Sequence, residues 1–352
     1  MAAYCFAGGS DEDFFGCIAA DVFAAIHPLK KAAKMYRITF LFLVAVGSVA
    51  FAGPYTEAGI YKDSINADPD FWAKGIIVER GFVDITNPEL GYASFGSEAN
   101  ALGKAEGTSF DVVSLGDGGI ATLTFDNSIY ITNGDGDDFA VFENGFGIAN
   151  GGEFLELAFV EVSSDGVNFF CFDSVSLTAT NIQVDGFSAI EANDIHNLAG
   201  RHLRGYGTPF DLEELKNVND LLDVNSITHI RITDVVGYVE SADIYGDGIV
   251  NFIDYSIFAA AYLSKAGDDN WNEDCDIFLP PTEDPPYHDP PNDFVDIVDF
   301  QVFIGKWLNE NDFSSCDSTG HQINDPWPTP FDAGGFDLDA VGIINERPRQ
   351  IE

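Results

Sequence analysis

The residues whose types and spacing best suit a defined chemistry lie in the segment DIYGDGIVNFID, residues 243–254. A twelve-residue calcium loop takes oxygen ligands from positions 1, 3, 5, 7, 9 and 12, with glycine at position 6 for the sharp turn. Counted from Asp243, Asp247 falls at position 5, Gly248 at 6, Asn251 at 9 and Asp254 at 12, while Ile249 at 7 offers its backbone carbonyl. Tyr245 occupies position 3, where Asp or Asn is usual, so that ligand is lost or replaced by water. The plainer reading of the same residues is an acidic turn that caps a helix.

A second loop is less regular. Asp296 and Asp299 fill positions 9 and 12, Phe294 offers its carbonyl at 7 and Asn292 stands at 5, but Asp293 replaces glycine at 6. Strict counting puts His288, a poor calcium ligand, at position 1. Asp276 takes that place if the proline-rich run FLPPTEDPPYHDPP bulges out as an insertion.

After each loop comes an apolar stretch at helical spacing. VNFIDYSIFAAAYL (250–263) aligns without gaps to VDIVDFQVFIGKWL (295–308), at an offset of 45 throughout. Residues 239–315 carry 17 acidic side chains against Lys265 and Lys306. Carboxylates this dense repel one another unless a cation sits among them, and calcium is the cofactor expected.

Two loop–helix units with Asp rather than Glu at position 12 resemble a bacterial dockerin type I module over about residues 243–309. The resemblance implies calcium binding and docking onto a cohesin-type scaffold domain within polysaccharide-degrading machinery.

The elements around this module have strand chemistry. ATLTFDNSIYI, DFAVFENGF, FLELAFVEVSSDGVNFFCF, SITHIRITDVVG and GGFDLDAVGII are β-branched and aromatic runs bounded by Gly, Asp and Asn. Ser164-Asp165-Gly166 marks a hairpin turn between two of them. The expected fold is mainly β, an antiparallel jelly-roll-like β-sandwich with an inserted small α-helical module. One further helix is expected at DLEELKNVNDLL. The expected divisions are a leader at 1–52, a sandwich from 53–238 plus 316–352, and the calcium module at 239–315.

GDDFAVFENGF (136–146), FVEVSSDGVNF (159–169), GYGTPFDL (205–212), ITDVVG (232–237) and INDPWPTPFDAGGFDLDAVGIIN (323–345) resemble a family of uncharacterised secreted bacterial surface proteins. They are also similar to galactose-binding-like jelly rolls, which implies carbohydrate binding. The calcium module interrupts this pattern, whereas dockerins are usually terminal.

Composition limits the partners. The chain has 352 residues and a formal net charge of −42, which repels phosphate backbones and excludes nucleic acid as an expected partner. Residues 35–52, MYRITFLFLVAVGSVAFA, read as a Sec-type signal peptide behind Lys30, Lys31, Lys34 and Arg37, with Met35 as the expected start and Ala50-Phe51-Ala52 at the cleavage site. Export, no membrane span in the mature chain and a secreted or cell-surface location follow. Of five cysteines, Cys171, Cys275 and Cys316 lie beyond the leader. Cys275 and Cys316 bracket a loop copy and are the expected disulfide, with Cys171 a buried small hydrophobe.

No GxSxG, HExxH or CxxC stands in the β region. Asp135, Asp137, Asp138 and Glu143 cluster near a turn, and Asp337 and Asp339 alternate on the last strand and so share a face. They form either a second metal or ligand site or a solvated acidic edge. Trp327 is either a sugar-stacking platform or a loop anchor. The function expected is a secreted, calcium-binding, non-catalytic protein that binds extracellular polysaccharide or a protein partner. A polysaccharide-active hydrolase and a structural surface-layer component are the alternatives.

Overall fold

The computed structural model describes residues 53–349 except 150, 181, 241, 246–248, 278–291 and 308–312. The leader expected at 1–52, with its signal peptide, lies outside the described residues. No described helix is long and apolar enough to cross a membrane.

Two five-stranded antiparallel sheets form the body. The first contains β1 (Ile60–Tyr61), β13 (Tyr206–Phe210), β6 (Phe139–Glu143), β15 (Asp337–Ile343) and β3 (Val113–Ser114), in that order. The second runs β10 (Phe170–Cys171), β9 (Ala158–Ser163), β14 (His229–Asp234), β4 (Ile120–Thr124) and β2 (Gly75–Glu79). Small two-stranded ribbons pair β11 (Val175–Ser176) with β12 (Ile195–His196), β16 (Glu346–Pro348) with β5 (Ile129–Ile131), and β7 (Phe146–Gly147) with β8 (Glu153–Phe154). The molecule is therefore mainly β and antiparallel.

The alternation that makes strands also sets their inner face. In β14, Ile230 and Ile232 are fully buried between Arg231 and Thr233, which are only half-buried. They meet Leu123 of β4 and Val160 and Val162 of β9, and across the gap Phe139, Val141, Leu338, Val341 and Ile343 of the first sheet. β6 and β15 are buried on both faces. A second apolar layer explains this: Trp72, Ile65 and Ala105 cover Ala140, Phe142 and Ala340 on the outer side. Trp72 is fully buried and donates its indole N–H to the Asn66 carbonyl at 2.9 Å.

Buried aspartates hold the connections in place. Asp138 accepts from the amides of Gly134 and Leu212, Asp234 from Phe336 and Gly118, and Asp325 from Leu157. Asp339, beside a register shift in β15, accepts from the Glu106 and Gly107 amides. Much of the acidic surplus of this stretch is thus internal scaffolding, with each carboxylate bonded to backbone N–H groups that would otherwise be orphaned.

Three sequence expectations are corrected. DLEELKNVNDLL forms only a 3-10 turn at Leu212–Leu215, where Leu212 and Leu215 turn inward and Asn217, at φ 65°, breaks the path. Cys171 is exposed, because it ends the short strand β10 and it is the next residue, Phe172, that turns into the core. Cys275 is a buried free thiol and not half of a disulfide with Cys316. It packs in the helical module's core, whereas Cys316 bridges to Gln322 at the sandwich side of the junction. The hairpin at Ser164-Asp165-Gly166 forms, with β9 and β10 paired and Gly166 at φ 75°.

Candidate calcium module and buried acid cluster

The repeated apolar stretches fold as α1 (Phe252–Ala261) and α2 (Ile297–Lys306), each 10 residues long. Both begin with the same device, a capping box. Asn251 and Asp296 cap the first turn by accepting from the amides of Ile253 and Val298. Asp254 and Asp299, three residues on, accept from the amides of Asn251 (2.8 Å) and Asp296 (2.6 Å) in return. A second loop amide reaches each of these carboxylates, Tyr245 to Asp254 and Ile277 to Asp299, both at 2.8 Å.

The second unit begins at Asp276. Its carboxylate accepts from the amides of Asn292 (3.2 Å) and Asp293 (2.7 Å), so Asp276 lies against the segment that leads into α2. Asp293 stands where the first loop has Gly248, and it takes a left-handed φ of 63°. Aspartate tolerates that region better than most residues with a side chain, which is how a loop with the wrong residue type keeps the turn. Asp299 is pushed up to about 6 by burial, against its two amide bonds, with Asp276 and Asp296 adding like-charge repulsion.

Packing joins the units. Phe258 stacks on Phe303 at 5.3 Å and on Phe300 at 5.9 Å, and Trp307 meets Phe303 at 5.6 Å and Tyr255 at 6.0 Å. Ala242, Val250, Cys275, Ile277, Val295 and Val302 complete a core separate from that of the sandwich. The Val295 amide bonds to Ser264 and the Leu263 amide to Val295, tying the end of the first unit to the second loop. Lys306 closes the junction by pairing with Glu240 at 2.8 Å.

Among the described residues, no three His, Cys, Asp or Glu side chains are gathered as a ready metal site. Asp247 falls outside the described residues. Asp243 is buried and accepts from Gln322 at 2.8 Å. Ile249 accepts from the Asn251 side chain through its carbonyl, and Tyr245 is exposed. The donor set fits calcium in kind, being carboxylates, the side-chain amides of Asn251 and Asn292, and backbone carbonyls. The carboxylates now hold backbone amides.

The other acids singled out in the sequence divide into groups. Asp135, Asp137 and Asp138 lie at the start of β6, where Asp135 is exposed and Asp138 serves the amides named above. Glu143 and Asp337 lie at the other end, where β6 finishes and β15 begins. Asp339 serves the loop at 106–107. The six are not brought to one point.

Asp337 and Glu143 instead meet a residue that sequence reasoning missed, Glu156, just beyond β8. Asp337 accepts from the Ser114 hydroxyl and, at 2.7 Å, from the Asn144 side chain. Burial pushes it up to about 7. Glu143 and Glu156 are held well above the usual carboxylate range, first by burial and then by Asp337's charge, with Glu143's charge adding at Glu156. One signal was present: Glu156 stands between Leu155 and Leu157, both fully buried. Trp327 is buried and donates to Asp117 at 3.0 Å, so it anchors its loop and does not present a platform.

No protein-family model, curated protein or solved structure matches the chain.

Proposed function

We propose that this protein is an extracellular, calcium-binding, non-catalytic binding protein whose β-sandwich recognises carbohydrate and whose inserted module folds around calcium. The observation that carries the reading is the equivalence of the two loop–helix units. The same capping carboxylate closes both, and Asp293 takes a left-handed turn at the sequence position that glycine holds in the first unit. Repeated segments that place hard oxygen donors just ahead of a helix start are what a calcium pair requires. Asp243, Asn251 and Asp254 would hold one ion with Asp247 and the Ile249 carbonyl. Asp276, Asn292, Asp296 and Asp299 would hold the other with the Phe294 carbonyl.

A second reading, docking of a cohesin-type protein on this module, is favoured by the apolar residues that the helices leave in solvent, among them Phe252, Ile297 and Ile304. Calorimetric titration of the chelator-treated full chain should show calcium binding well below millimolar concentration, and heat absent at millimolar calcium would remove the central claim. Release of reducing ends from any polysaccharide by the purified chain would overturn the non-catalytic part.

A further inference from the structure

At the end of the first sheet where β6 finishes, apart from the calcium module, lies a cleft of about 480 Å³. Small-molecule clefts run from about 300 to 1,000 Å³. Its polar lining includes Asn144, Glu156, Asp337 and Arg204, with the hydroxyl residues Ser109 and Thr329. Its wall is a run of phenylalanine rings drawn from distant parts of the chain. Phe146 and Phe154, paired across the β7–β8 ribbon, stack at 4.9 Å. Phe187 touches Phe154 at 5.8 Å and Phe331 at 5.3 Å. Phe187 and Phe331 remain 62% and 45% exposed, although each has aromatic neighbours against which it might have been buried.

Glu156 distinguishes this cleft from a surface groove. It is 5% exposed, yet among the described residues no hydrogen bond is donated to its carboxyl. Beneath it, Glu143 accepts from the Gly145 amide with one oxygen, and the other is buried without a partner. A buried polar group without a partner is costly, so an unpartnered carboxyl facing a cleft marks where a ligand group belongs. The chemistry of that group follows by elimination. An anion would bring a further negative charge to a place where burial and the like charges of Asp337, Glu143 and Glu156 already oppose one. A cation would share the cleft with the Arg204 guanidinium and would need carboxylates whose ionisation burial opposes. What remains is a neutral ligand with an apolar face for the rings and hydroxyls at its edge.

The geometry points to this cleft as the binding site for a neutral sugar residue of a polysaccharide, its ring lying on Phe187 and Phe331 and its hydroxyls bonded to Glu156. This rests on the reading of the sandwich as a carbohydrate binder. The test is calorimetric titration of the full chain, with calcium present, by a panel of neutral oligosaccharides: cello-, xylo-, manno- and galacto-oligosaccharides. At least one should bind, and Phe187→Ala and Glu156→Gln should each weaken that binding at least tenfold while calcium binding stays unchanged. Phe187 is exposed enough that its variant should keep the parent's circular dichroism spectrum. If the panel binds but both variants bind as the parent does, the sandwich recognises sugar elsewhere and this assignment alone falls. If no neutral sugar binds, or if only choline or an anionic uronide does, the assignment falls and the carbohydrate reading loses its support with it.

Discussion

Asp254→Ala probes the calcium module most directly. The Asp254 carboxylate is fully buried and accepts from the Tyr245 and Asn251 amides, both at 2.8 Å. Alanine removes both acceptors. Each orphaned donor costs about 1–3 kcal/mol when it stays buried. Tyr245 is exposed and Asn251 half-buried, so water re-solvates part of the loss, and about 2–4 kcal/mol is the expected total. The local core comprises nine buried apolar residues, too few to absorb such a loss without opening. At about 1.4 kcal/mol per tenfold, amide protection across α1 should fall roughly 30- to 700-fold, while that of β9 and β14 stays unchanged. Hydrogen exchange read by mass spectrometry on peptides spanning 252–261 and 229–234, with calcium and with EDTA, measures both. The parent should gain protection in α1 with calcium, and the variant should lose that gain. If α1 in the variant stays within threefold of the parent under both conditions, Asp254 is neither the cap nor the closing ligand described above.

Other expectations concern the cores and the acids. Cys275, fully buried and with its thiol pushed up to about 12, should resist alkylation in the folded chain while exposed Cys171 reacts; equal labelling of the two would contradict the packing described. The buried acids with raised values, among them Asp117 at about 6 and Asp337 at about 7, bind protons more tightly when folded than when unfolded. Their contribution therefore falls as pH rises from about 4 to about 7, against the opposite and smaller effect of His202, lowered to about 4. Calcium-free Tm should decline over that interval, and a rising Tm would refute it. Glu156→Gln removes an ionisation without breaking a hydrogen bond, so it should raise Tm more at pH 8 than at pH 5, a difference that differential scanning calorimetry would show. Trp72→Ala empties the outer layer of the first sheet and should cost about 3–5 kcal/mol in denaturant unfolding, whereas a loss below about 1 kcal/mol would mean that layer is not a core.

What could be read from the sequence follows from what is periodic in it. β14 shows its two-residue alternation in HIRITD, and the helices show themselves twice at a constant offset. The carboxylates at the two helix starts, Asp254 and Asp299, stood out because they recur at the same place in both copies of the repeat. DLEELKNVNDLL misled because its acidic opening and leucine spacing satisfy a helix, while Asn217 in the left-handed region ends it after one turn. The cleft was hidden for a different reason. Phe187 and Phe331 lie on irregular segments, and nothing local marks them as neighbours of Phe154. Nor did the sequence separate carboxylates that hold buried amides, such as Asp138 and Asp339, from those left without a donor, such as Glu156.

The position of β15 has a consequence for how the chain reaches its final form. β15 pairs with β6 on one side and with β3 on the other, joining two strands made far earlier. Until it arrives, β6 and β3 have no ladder between them, and Phe139 and Val141 stand in a sheet with a missing member. The whole helical module must be threaded past before the gap can close. Contacts this distant in sequence slow the search for the native state. During synthesis, the earlier strands would wait with an open edge, a vulnerable moment for misassociation. The first sheet is therefore closed only once residues 337–343 have been made, long after β3 and β6.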